Sequence, residues 1–147
     1  MKHLGQAGAC PADARITHFA SLADDKAIVL AAHSDRFDKS GSVVWEAQVS
    51  FPEIRRILTL STSSDGHGVE VREGESTEVI REYRHPWSQI TNVSEWSLTL
   101  ADVGVDPIAA KLTQKNAVAV RYRTMFVQNG TKTYCDETSW FETNIVR

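Results

Sequence analysis

The sequence predicts a mainly β chain: a single antiparallel β-sandwich or closed β-barrel of about eight to nine strands, with one or two short helices. Three observations carry that reading. Apolar and polar residues alternate with a period of two over most of the 147 residues. Turn residues (Gly, Pro, Asn, Asp, Ser) punctuate the alternating runs. An Asn129-Gly130 pair sits between two long alternating segments, the strongest short-range signal for a β-hairpin.

The elements follow in order. Residues 1–14 hold Gly, Pro and Ala without a period and read as a loosely ordered arm; residues 15–147 read as one β domain with no interior linker. Residues 15–21 form a short strand. The unbroken apolar run within 26–34 suggests a central strand covered on both faces. Residues 43–51 alternate cleanly, with Val43, Trp45, Ala47, Val49 and Phe51 on one face. Pro52 ends that strand, because it has no N–H to give a ladder, and 52–56 read as one helical turn. Residues 57–62 continue as a strand.

Residues 69–72 and 77–84 form a heavily charged hairpin expected at a sheet edge, where charge discourages stray pairing. Trp96, Leu98 and Leu100 share a face of a strand over 93–103. Asp106 and Pro107 suit the N-cap and first position of a short helix through 113. The final hairpin pairs 116–128 with 131–146. A two-residue turn sets Gln128 opposite Thr131, and hence Arg123 opposite Asp136, Tyr122 opposite Glu137 and Ala119 opposite Trp140.

Composition narrows the function classes. A formal net charge of −3 lacks the basic excess of a nucleic-acid binder. No apolar run approaches the roughly 18 residues of a membrane helix. No apolar stretch of signal length precedes Cys10, so a cytoplasmic location is expected. Cys10 and Cys135 lack zinc-ligand spacing and are expected as reduced thiols, a disulfide tying the N-terminal arm to a late strand being the alternative.

His3, His18, His33, His67 and His85 show no metal-ligand spacing, although His18 and His33 could meet across adjacent strands. Ser61 to Gly68 brings Ser, Asp and His together in a loop without the separation typical of a catalytic triad. No cofactor motif is present, and no catalytic residue is assigned; Glu137 and Tyr122 are the weak candidates.

Two readings remain. In the first, one face of the last hairpin gathers Arg121, Arg123, Tyr134 and Trp140, residue types enriched where proteins touch. The chain would be a non-catalytic interaction protein: an assembly subunit, an inhibitor or an immunity-type partner, binding another protein or itself. In the second, a small barrel encloses an apolar small molecule. Trp45, Trp96, Tyr122 and Glu137 would line its cavity, and Glu137, desolvated beside Tyr122, would act as an acid or base.

Overall fold

Alternation buries one face of each strand, and two such faces pack against each other to form the core. The computed structural model describes residues 2–3, 15–34, 43–62, 68–84, 88–90 and 93–146. Among these, β1 is Lys2–His3, β2 Ile16–Ala23, β3 Ala27–Ser34, β4 Val43–Phe51, β5 Arg56–Thr62, β6 Gly68–Glu73 and β7 Val79–Arg84. There follow β8 Ser88–Ile90, β9 Val93–Thr99, β10 Ala119–Gln128, β11 Thr131–Glu137, β12 Phe141–Glu142 and β13 Asn144–Ile145.

One sheet has the order β1-β11-β10-β4-β5-β6-β7, with β12 also beside β10; the second has the order β13-β2-β3-β9-β8. The sheets do not close on each other, so of the two expected architectures the molecule adopts the sandwich. The arm residues 4–14, the loop residues 35–42 and 63–67 (including Asp65 and His67), and His85 lie outside the described residues.

The core is the set of inward side chains from both sheets. The first sheet supplies Trp45, Val49 and Phe51 from β4, Leu58 and Leu60 from β5, and Val120 and Tyr122 from β10. The second supplies Ile28 and Leu30 from β3 and Trp96 and Leu98 from β9. The expectation that β3 is covered on both faces is corrected. The strand is interior to its sheet, but Ile28, Leu30 and Ala32 are buried while Val29 is 38% exposed on the far side.

The short helices resolve into two 3-10 turns among the described residues, Pro52–Ile54 and Leu100–Val103. Asp106 does accept the backbone N–H of Ile108 at 3.0 Å, as a cap would. No α-helix follows. Lys111 takes a positive φ of 55°, which is incompatible with continued helical winding, and the segment runs as successive turns. The charged hairpin of β6 and β7 lies at the edge of its sheet. There Glu70 faces Glu82 across the ladder, and Arg72 and Arg84 neutralise the pair.

Asn129 and Gly130 both take positive φ, 52° and 78°, and Gln128 pairs with Thr131. The register then departs from the simple count. A bulge between Thr124 and Met125 places Tyr134 opposite Met125 but Asp136 opposite Thr124 and Glu137 opposite Arg123. Cys135 is the extra residue. One inserted residue exchanges the faces of everything beyond it, because side chains alternate with period two. Asp136 therefore turns inward and Glu137 outward, the reverse of the expectation. Further along, Val120 faces Phe141 and Ala119 faces Glu142. Cys135 is disulfide-bonded, which corrects the expected reduced thiol; Cys10 lies outside the described residues.

Among the described residues, three polar contacts tie the β2 and β3 side of the second sheet to the first sheet's strands. Asp136, 1% exposed, accepts the backbone N–H of Ile16 at 2.8 Å. The chain crosses from β12 to β13, which runs parallel to β2, and Thr143 meets Ser21 at 2.9 Å on the way. Tyr122 reaches from β10 across the core into the ladder between β2 and β3. Its hydroxyl donates to the carbonyl of Ala20 at 2.7 Å and accepts the N–H of Ala31 at 2.9 Å.

Tyr122→Phe removes both bonds and leaves two backbone groups without this partner. It should lower stability at neutral pH by about 1–3 kcal/mol in urea unfolding. Burial holds the Tyr122 phenol protonated well above its ordinary 10.0, with the Ala31 bond opposing only in part. The raised folded pKa means that this stability is complete below pH 10 and is lost as pH rises above it, where the unfolded phenol ionises. The difference between wild type and Tyr122→Phe should therefore shrink with rising pH above 10.

Candidate functional site

The outer face of the first sheet is polar in its middle, and that polarity is satisfied from within. β10 lies between β4 and β11, so outward Arg121 and Arg123 stand beside Gln48 and Glu46 on β4 and near Glu137 on β11. Arg123 donates through Nε to Glu46 at 2.8 Å, through Nη2 to Glu46 again, and through Nη2 to Glu75 at 3.3 Å. Both Arg123 and Glu46 are buried, 7% exposed each. Burial alone would depress the guanidinium, but Glu46 foremost, with Glu75, holds its pKa above the ordinary arginine range.

Arg121 donates through Nε to Gln48 at 2.6 Å and meets Glu137 at 3.5 Å. Gln48 in turn donates to Glu75 at 3.2 Å and to Thr59 at 3.1 Å. The Thr59 hydroxyl donates to the carbonyl of Gly74 at 2.6 Å. The turn between β6 and β7 is thereby folded back over β5 and β4, which is what brings Glu75 to Arg123. Two guanidiniums face three carboxylates, Glu46, Glu75 and Glu137, so the cluster carries its own neutralisation.

Two aromatic rings lie over this cluster. The Arg121 guanidinium is 4.8 Å from the ring centre of Trp140, and that of Arg123 is 5.1 Å from Tyr134. Both distances are in the range of cation–π attraction. Trp140 and Tyr134 remain 39% and 41% exposed. Because the two arginines are two residues apart on one strand, the ring pairs sit roughly 7 Å apart along the sheet.

Arg121, Arg123, Tyr134 and Trp140 are thus brought together on one face. Trp140 arrives there by a route the simple register missed: it lies in the segment between β11 and β12, not opposite Ala119 within a ladder. Asp136 and Thr138, which the uninterrupted register would put on this face, are buried at 1% exposure each.

Of the residues of the cavity reading, Glu137 is separated from the other three. Trp45, Trp96 and Tyr122 are buried between the sheets, with the Trp96 and Tyr122 rings 6.1 Å apart. Glu137 is on the opposite side of the first sheet, beside Arg121. His18 and His33 do pair across β2 and β3, with ring centres 5.2 Å apart. Both contact the Thr17 hydroxyl, at 3.2 Å and 2.6 Å respectively. Among the described residues, no group of three or more His, Cys, Asp or Glu is placed to hold a metal ion.

Glu46, Gln48, Thr59 and Glu75 were not singled out by the sequence. Alternation alone puts Glu46 and Gln48 on the polar face opposite Trp45 and Ala47. Only the pairing of β4 with β10, more than seventy residues away, shows that they meet two arginines. Compared with known proteins, the chain matches no family model, no curated protein and no solved structure.

Glu46→Gln keeps the shape but removes the charge nearest Arg123. It leaves a buried guanidinium leaning on Glu75, whose side chain is 73% exposed. Loss of one partner of a buried pair should destabilise by about 3 kcal/mol in chemical denaturation. A loss below about 0.5 kcal/mol would show that Glu75 and water suffice.

Proposed function

We propose that the chain is a non-catalytic binding protein that recognises a protein partner through the outer face of its first sheet. The observation that carries this reading is the pair of aromatic–guanidinium contacts, Trp140 on Arg121 and Tyr134 on Arg123, set side by side on a prebuilt polar network. Trp, Tyr and Arg dominate binding energetics at protein interfaces. Rings already held by the groups beneath them lose little freedom on binding.

Charge supports a protein rather than a nucleic acid. Both arginines are neutralised by carboxylates of the same chain, so neither offers an open site to a phosphate backbone. The carboxylates are likewise tied to guanidiniums and backbone-anchored side chains, an arrangement that favours rigidity over proton transfer. No helix among the described residues is long and apolar enough to cross a membrane. The disulfide at Cys135 favours an oxidising compartment over the cytoplasm expected from the sequence, because such bonds persist where thiols are not kept reduced.

The test compares immobilised wild type with Trp140→Ala in affinity capture. Any protein held by the first and lost by the second is then purified and titrated by calorimetry. Trp140→Ala should weaken that complex by about 2 kcal/mol, roughly thirtyfold in Kd, with an unchanged near-UV circular dichroism spectrum. Equal binding by both proteins would remove this face from the account. An unfolded variant would make Trp140 a structural residue.

A further inference from the structure

The outer face of the second sheet, on the far side of the sandwich from the aromatic rings, carries the histidine pair. Alternation turns Ile28, Leu30 and Ala32 of β3 into the core and sends Val29, Ala31 and His33 outward. His18 stands opposite His33 in the ladder, with the ring centres 5.2 Å apart and the planes at 81°.

The pairing of β2 with β3 is irregular at this point. Ile16 pairs with Ser34 and His18 with His33, so Thr17 is an extra residue. In an unbroken strand Thr17 and His18 would project to opposite faces. The bulge sends both outward, while Ile16 before them is buried and Phe19 after them turns back toward Tyr122 and Phe141. The Thr17 hydroxyl consequently meets both rings. Its oxygen is 2.6 Å from Nδ1 of His33 and 3.2 Å from Nδ1 of His18.

A hydroxyl has one hydrogen to give, and Thr17 donates its own to the carbonyl of His33 at 3.1 Å. Oγ1 and the two Nδ1 atoms therefore turn lone-pair positions toward one another. Positive charge must fill the space between them, as two ring protons or as one metal ion. Around one ion bound at about 2.0–2.2 Å, neighbouring donor atoms are roughly 2.8–3.6 Å apart. The 3.2 Å contact is within that range, and the 2.6 Å contact needs only a slight opening.

We propose that His18, His33 and Thr17 bind a divalent late-transition-metal ion such as zinc, through the two Nδ1 atoms and Oγ1, with water completing the shell. Thr17 supplies the third donor that no His, Cys, Asp or Glu among the described residues supplies. Imidazole nitrogen suits zinc, copper and nickel, whereas magnesium and calcium take oxygen ligands. The register places Glu95 of β9 opposite Ala31, hence diagonal to His33 on the same face. Its carboxylate adds negative charge beside the site. Coordination through Nδ1 leaves each Nε2–H to donate to a carboxylate or to water, the outer contact that orients a ligating imidazole. β13 pairs with β2 at Leu22 and Ala23 and not at His18, and the His18 side chain is exposed, so an ion has a path of entry.

The experiment is calorimetric titration of Zn(II) into the full chain at neutral pH, in a buffer that does not bind metal, with a near-UV circular dichroism spectrum of each variant. Wild type is expected to bind zinc in the micromolar range and to give no heat of binding with Mg(II). His18→Gln and His33→Gln should each weaken zinc binding by about tenfold or more, and Thr17→Val severalfold. The other histidines of the chain are unchanged in all three variants, so a signal that they produce survives every substitution. His18 is exposed, so its replacement tests the site even where a change at half-buried His33 disturbs the fold. A wild type that takes up no zinc at millimolar concentration overturns the proposal. So does an affinity that His18→Gln or Thr17→Val leaves unchanged.

Discussion

The Tyr122 hydroxyl is the interaction on which the rest of the sandwich depends. Two sheets packed through apolar side chains can slide, since burial is proportional to area and indifferent to direction. A hydrogen bond fixes both. By entering the ladder between β2 and β3, Tyr122 ties a residue of one sheet to two backbone groups of the other, across 91 and 102 positions of sequence. The aromatic packing around it, with Trp96 on one side and Phe141 on the other, then has a single arrangement to fill. Asp136 does the same at a second point through the backbone of Ile16.

Much of the architecture was legible in the sequence because it is local. The clean alternation of 43–51 gives β4 with the bounds Val43–Phe51, and Asn129-Gly130 gives a hairpin with both positive φ angles. The departures share a physical cause: they depend on contacts far away in sequence. The apolar run in β3 looks two-sided, yet Val29 stays 38% exposed, since among the described residues the first sheet packs on one side of the second only. The bulge at Cys135 has no glycine to announce it. It becomes intelligible only when Asp136 is seen to need the Ile16 N–H, which an uninterrupted ladder would deny it.

The aromatic face shows the same division. Arg121, Arg123 and Tyr134 could be placed together from the hairpin, because they lie close to its turn or on one alternating strand. What the hairpin could not show is that the arginines are internally matched. A face with two free guanidiniums would be a site for anions. With Glu46, Glu75 and Glu137 beside them, the guanidiniums become rigid supports for two rings. Buried ion pairs of this kind contribute little net stability over apolar packing, and their retention fits a role in holding one geometry.

The parallel pairing of β13 with β2 has a kinetic consequence. Residues 22 and 144 are neighbours in one sheet, and Asp136 holds Ile16 across 120 positions. Such closures cannot form until the intervening strands have assembled, and chains dominated by non-local pairing fold slowly. During that interval the β2 edge that β13 will cover, at Leu22 and Ala23, stands open. The step that completes the second sheet is then also the step that closes this stretch of β2 to pairing with another copy of the chain.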